Sequence, residues 1–87
     1  EILEIITNTS GVKGFHNLRT RKIGDIIAIE VHVKVDKDLS VESSHQIATE
    51  IEKSMQNKFG IQSHIGIHIE PYYKVNDKNT TPNKRYS

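Results

Sequence analysis

The stretch Ile27-Ala28-Ile29-Glu30-Val31-His32-Val33-Lys34-Val35-Asp36 decides the fold. Its residues alternate without a break: Ile27, Ile29, Val31, Val33 and Val35 fall on one side, and Ala28, Glu30, His32, Lys34 and Asp36 on the other. A period of two is the signature of a β-strand with one face in a core, because successive side chains leave opposite faces of a pleated backbone. The apolar face must be covered by something, and the polar face carries a histidine. Upstream, Phe15 to Lys22 forms a second extended segment. Gly24 sits between the two arms, where a two-residue hairpin turn needs a positive φ at its first central position.

The coverings of the apolar face lie on either side of this hairpin. Ile2, Leu3, Ile5 and Ile6 recur at helical spacing and predict a short amphipathic helix ending at Asn8-Thr9-Ser10-Gly11. Glu1 offers no cap, which predicts that this helix is cut from a longer one. After Asp36-Lys37-Asp38 a longer helix opens with Ser40 as N-cap. Val41, Ser44, Ala48, Ile51, Met55 and Phe59 are its expected inner stripe, and Gly60 is its terminator. His64 to Glu70 alternates again, with Ile65, Ile67 and Ile69 inward and His64, Gly66, His68 and Glu70 outward. Pro71, which cannot donate to a ladder, is expected to stop this strand. The order helix, strand, strand, helix, strand predicts an α+β, two-layer αββαβ sandwich of ferredoxin-like type: a three-stranded sheet with both helices on one face. The folded domain is expected over 1–75, with a disordered polar tail over 76–87.

Composition narrows the function. The chain has 87 residues, room for one small domain, and no cysteine, so disulfides and thiolate metal sites are excluded. Twelve basic and eleven acidic residues leave a net charge of +1 with no basic run, which gives no support to nucleic-acid binding. The longest apolar run, Ile26-Ile27-Ala28-Ile29, is far short of the roughly 20 residues that cross a bilayer, so direct membrane insertion is not expected. Five histidines in so short a chain point to metal.

His68 and Glu70 leave the same strand face with Cβ atoms about 7 Å apart, and His32 lies on the equivalent face of its own strand. Imidazole and carboxylate together suit zinc or a similar divalent transition metal better than calcium or magnesium. The competing reading is a solvated polar strand face. His16 stands beside a turn, where alternation does not fix its direction. His45 lies at the border of the second helix's apolar stripe, where a partly buried histidine bonded to backbone is the plain alternative to a ligand. His64 shares the face of His68 at the strand entrance and reads as a bystander.

Gly11-Val12, Gly14-Phe15-His16-Asn17-Leu18-Arg19-Thr20-Arg21, Gly24 and Ile29-Glu30-Val31-His32-Val33 resemble the opening of the cytoplasmic C-terminal domain of the cation diffusion facilitators. Leu39-Ser40-Val41 through Ser44-His45-Gln46-Ile47-Ala48 to Ile51-Glu52 resembles its helix, and Ile67-His68-Ile69-Glu70-Pro71 its closing strand. The match runs in order from Ile2 to Pro71. The resemblance implies a metallochaperone-like fold, a V-shaped homodimer, and metal ligands at His16, His32, His45, His68 and Glu70 near the dimer interface. The implied function is that of a regulatory and dimerisation domain on the cytoplasmic side of the membrane. It would be attached to the transmembrane domain of a divalent metal efflux transporter, and metal binding would favour a closed, transport-competent dimer. A stand-alone metallochaperone-like protein is the alternative. Enzymatic action is not expected, since no pocket-forming insertion or separate general base accompanies the histidines. Because the helix covers the core face, His45 has to reach around a sheet edge, bind another ion, or meet ligands of a partner subunit.

Overall fold

The computed structural model describes residues 1–73 and has the expected order: α1 (Ile2–Asn8), β1 (Val12–Ile23), β2 (Ile26–Asp36), α2 (Val41–Phe59) and β3 (His64–Tyr72). The expected domain boundary at 75 and the polar tail over 76–87 lie outside the described residues. The strands form one sheet in the order β1-β2-β3, with β1 antiparallel and β3 parallel to the central β2. A parallel neighbour cannot be reached by a tight turn, and α2 provides the crossover.

Ile29, Val31, Val33 and Val35 of β2 are buried, and above them lie Ile6 of α1 with Ile51 and Met55 of α2, each fully buried. Ile65, Ile67 and Ile69 of β3 pack against this cluster from one side, and Phe15 and Leu18 of β1 also pack against it. The hairpin turns on Gly24 at φ 63, directly after Ile23, which pairs with Ile26. Ser40 caps α2 by accepting from the Ser43 N–H at 3.0 Å, and Gly60 ends it at φ 109, its N–H donating to the Gln56 carbonyl.

Two expectations about the elements are corrected. Val41 is 87 % exposed and is not part of the inner stripe of α2. The covered row is instead Ile47, Ile51, Met55 and Phe59 at strict i+4 spacing. Pro71 does not stop β3, which continues to Tyr72 with Pro71 opposite Val35. The strand lies at a sheet edge, the one sheet position that tolerates a residue without an N–H.

Gly11 is fixed by two constraints. It sits at φ 94, and a Cβ there would stand 2.6 Å from Cδ1 of Ile47. The turn from α1 into β1 therefore packs directly on α2.

Candidate metal centre

His16, His32 and His68 occupy one rung of the sheet, since His16 is the register partner of His32 in β1 and β2, and His32 is that of His68 in β2 and β3. All three side chains leave the face away from the helices. The rings of His32 and His68 stack at 4.7 Å between centroids and 13° between planes, while His16 and His32 are tilted by 57° at 5.1 Å.

His16 reaches this rung because β1 is not regular. Between the pairs His16–His32 and Arg19–Glu30, β1 has Asn17 and Leu18 where β2 has Val31 alone. This is a β-bulge, and Asn17 accommodates it at φ 55 in the left-handed region that Asn tolerates better than most residues. The extra residue lets Phe15 and Leu18 both face the core while His16 and Arg19 both face away. The signal was present in the sequence as an apolar spacing of three, from Phe15 to Leu18, inside a strand.

Glu70, one residue pair further along β3, turns toward the rung and crosses β2. Its Oε1 accepts from His16 Nε2 at 2.8 Å and its Oε2 from His32 Nδ1 at 2.5 Å. Burial pushes the Glu70 carboxyl up, but the hydrogen bonds from His32 and His16 and their attraction outweigh it. The net result is a value below the ordinary 4.5. An ionised carboxylate only accepts, so both ring nitrogens facing it carry protons. One ligand atom from each of His16, His32 and Glu70 lies within 4.8 Å of the others, and all three residues are partly buried.

This donor set fits a divalent transition metal. Two imidazole nitrogens and a carboxylate are the kind of three-ligand set that holds zinc with one position left open. A tetrahedral ion with bonds of about 2.0–2.1 Å separates its donor atoms by about 3.3 Å, so only small rotations bring these three onto one centre. The two protons now shared with Glu70 are the ones an ion would replace.

The other histidines are placed elsewhere. His68 Nε2 lies 3.2 Å from Oε2 of Glu30, so the structure pairs His68 with an outward-facing carboxylate of β2 and not with Glu70. Glu30 was legible only as an outward residue of β2; its partner depends on register. His45 is exposed on α2, which packs on the opposite face of the sheet, so it is neither gathered into the cluster nor buried against backbone. His64 is exposed at the start of β3. Among the described residues, no helix is long and apolar enough to cross a membrane.

The chain matches the family described as the cytoplasmic domain of cation efflux proteins over residues 1–72. It is 37 % identical over 74 residues to the cation-efflux pump FieF of Pectobacterium atrosepticum, covering 85 % of this chain and 24 % of the pump. It is 36 % identical over 72 residues to protein p34 of Rickettsia prowazekii, covering 83 % and 24 %. The chain thus spans about a quarter of the length of these relatives. Among solved structures, a MamM CTD variant in a nickel form superposes with a TM-score of 0.75 at 25 % identity, covering 83 % of this chain and 91 % of that one. Another variant, in a cadmium form, gives 0.73 at 27 %, covering 83 % and 90 %. With the ferredoxin-like fold and the family match over nearly all described residues, the chain belongs to the cation efflux protein cytoplasmic domain family.

Proposed function

We propose that this domain is the regulatory and dimerisation module of a divalent metal efflux transporter, on the cytoplasmic side of the membrane. It binds zinc or a similar divalent transition metal through His16, His32 and Glu70. The observation that carries this reading is the convergence of donors from three separate strands to within 4.8 Å. A carboxylate drawn across the central strand onto two imidazoles adds little stability of its own to a partly exposed sheet face, so the gathering of three donors points to a ligand. The relatives named as cation-efflux pumps supply the context of transport, and the nickel and cadmium forms of the MamM CTD supply that of metal.

His68, stacked on His32, and His45 complete the coordination of one or two ions in this reading. Since His45 lies on the helical side of its own domain, it serves as a ligand presented to a second copy. The homodimer forms through β3 and the sheet face beside it, and closure around the ion passes to the attached transmembrane domain. Calorimetric titration of the chain with zinc, cobalt, nickel and cadmium tests the reading together with sedimentation. Absence of saturable binding by every one of these metals overturns it.

A further inference from the structure

Arg19 stands opposite Glu30 in the register of β1 and β2, on the outward face of the sheet, and cross-strand pairs of opposite charge attract. The two nevertheless make no ion pair. Glu30 lies instead over its partner on β3, Gly66, where a Cβ would stand 3.5 Å from Glu30 Cγ, and its Oε2 sits 3.2 Å from His68 Nε2. Arg19 is left without its carboxylate. On the neighbouring outward rung Arg21 faces Ala28, which offers none, and among the described residues neither guanidinium takes part in an ion pair.

The two rungs that carry these arginines form a trough. Arg21, Ala28 and His64 are register partners across all three strands, and Arg19, Glu30 and Gly66 make the rung beside them. With neighbouring strands about 4.8 Å apart, the backbones of Arg21 and His64 stand about 10 Å from each other, and only the Ala28 methyl group rises between them. Gly66 adds no side chain to the floor. Long side chains on β1 and an imidazole on β3 thus wall a groove of about 520 Å³, in which Glu30 is the one acidic lining residue. Arg19 and Arg21 are two apart on one strand, with Cβ atoms about 7 Å from each other, so both guanidinium groups can reach one anion.

We propose that this groove binds a phosphate group, as inorganic phosphate or a phosphate monoester, held by Arg19 and Arg21 and closed from the β3 side by His64. A guanidinium is always charged and presents its N–H groups as a planar fork that matches two oxygens of a phosphate. A tetrahedral anion has acceptors enough for two forks and an imidazole N–H. Glu30 would repel it, but the contact with His68 draws that carboxylate toward β3 and away from the arginines. Ile23 follows Arg21 on the same strand face and is 54 % exposed at the hairpin tip. An apolar tip beside a phosphate site suits a lipid headgroup, while the groove itself serves soluble phosphate equally. His16, His32 and Glu70 do not line the groove, so either site can fail while the other stands.

Two probes are used on the chain in the presence of a chelator, which removes metal-bound phosphate from the readout. In one arm sodium phosphate is titrated at constant ionic strength while the arginine Nε–H and histidine ring resonances are followed. In the other, phosphatidylcholine vesicles with and without phosphatidic acid, whose headgroup is a phosphate monoester, are sedimented with the chain. Saturable shifts of Arg19, Arg21 and His64 together are expected with phosphate, or sedimentation only with the phosphatidic acid vesicles. The first result alone assigns a soluble ligand to the groove and the second alone a lipid headgroup. Arg19→Lys and Arg21→Lys keep the charge but lose the fork, and each weakens the binding by at least about threefold. Arg21→Gln weakens it by at least about tenfold. Lys53→Gln removes the same charge from an exposed position of α2, on the other side of the sheet, and leaves binding as it was. Absence of saturable binding in both arms overturns the proposal, as does a loss in Lys53→Gln equal to that in Arg21→Gln, which marks diffuse attraction to the net charge. Shifts confined to the arginines overturn the three-residue groove. Arg19, Arg21 and His64 are exposed and outside the core, and circular dichroism of each variant confirms that loss of binding is not loss of fold.

Discussion

His16 Nε2 and Glu70 Oε1 lie 2.8 Å apart although they come from β1 and β3, strands that are not neighbours, and are 54 residues apart in the chain. Their contact passes over the central strand and takes His32 with it. The cluster therefore exists only when all three strands are in register, which ties the candidate metal centre to the fold of the entire sheet.

Removing any of the three donors should weaken binding of the first ion. His16→Ala, His32→Ala and Glu70→Gln are each expected to lower zinc affinity by at least about tenfold, read by competition with a chromophoric chelator. His45→Ala should leave the affinity of a dilute, monomeric sample unchanged, because His45 lies on the opposite side of its own domain. Equal affinity of parent and His16→Ala, His32→Ala double variant would show that the ion sits elsewhere.

The bulge at Asn17 is predicted to matter as much as the ligands. Asn17→Gly keeps the φ of 55 accessible and should retain both stability and zinc affinity. Asn17→Val places a β-branched residue in the left-handed region, at a cost of about 1–2 kcal/mol. It should also weaken zinc binding, since regularising β1 turns His16 from the cluster toward the core face. Urea unfolding gives the first effect and a zinc titration the second; an unaltered titration would separate the bulge from the site.

Much of this was legible in the residues, and what was hidden has a common cause. Strict alternation from Ile27 to Asp36 determined which face of β2 is core, and the caps at Ser40 and Gly60 bounded α2, because each of these signals is local. The resemblance put His16 and Glu70 in one ligand set, but their direct contact, and that of His68 with Glu30, was not legible in the residues themselves, because it depends on inter-strand register and on which way a long side chain leans. Val41 and Pro71 were misread for a related reason: exposure and edge position are properties of the assembled layers.

Acid should act on the metal-free chain through Glu70. Its carboxyl in the folded state is held below the 4.5 of an ordinary glutamate. Between that value and 4.5 the unfolded chain takes up a proton that the folded chain refuses. The contribution of Glu70 to stability is therefore complete above 4.5 and is lost as pH falls through the lower, folded value. Glu70→Gln should show a shallower loss of melting temperature on going from pH 7 to about 3. Metal release comes at milder pH, since ring nitrogens must be unprotonated to ligate and free imidazole protonates near 6.5. Retention of zinc at pH 5 with undiminished affinity would contradict the imidazole assignment.

Replacing Gly11 should loosen the packing of α1 without touching the metal centre. An alanine at φ 94 is strained, and its Cβ would meet Ile47 Cδ1 at 2.6 Å, so the α2 side chain has to move. A loss of about 1–3 kcal/mol in unfolding free energy is expected, with zinc affinity at the far face unchanged. A parallel drop in affinity would reveal coupling between the α1 turn and the cluster.

In the proposed homodimer, metal is expected to tighten the pairing of the subunits rather than to create it. A polar sheet face carrying Glu30, Glu70 and four histidines is poorly suited to meet its own copy, since carboxylates and lone pairs would confront each other. A divalent cation between them removes that repulsion and adds ligand bonds. Such an ion shifts the population toward the closed arrangement by no more than its difference in affinity for closed and open forms. Ser54 is exposed on α2 and the chain has no cysteine, so Ser54→Cys accepts a single spin label per subunit. The distance distribution between labels should narrow and move on zinc saturation, and Glu70→Gln should abolish the change. An identical distribution with and without zinc would make the centre a static support, and closure would then have to be driven from outside this domain.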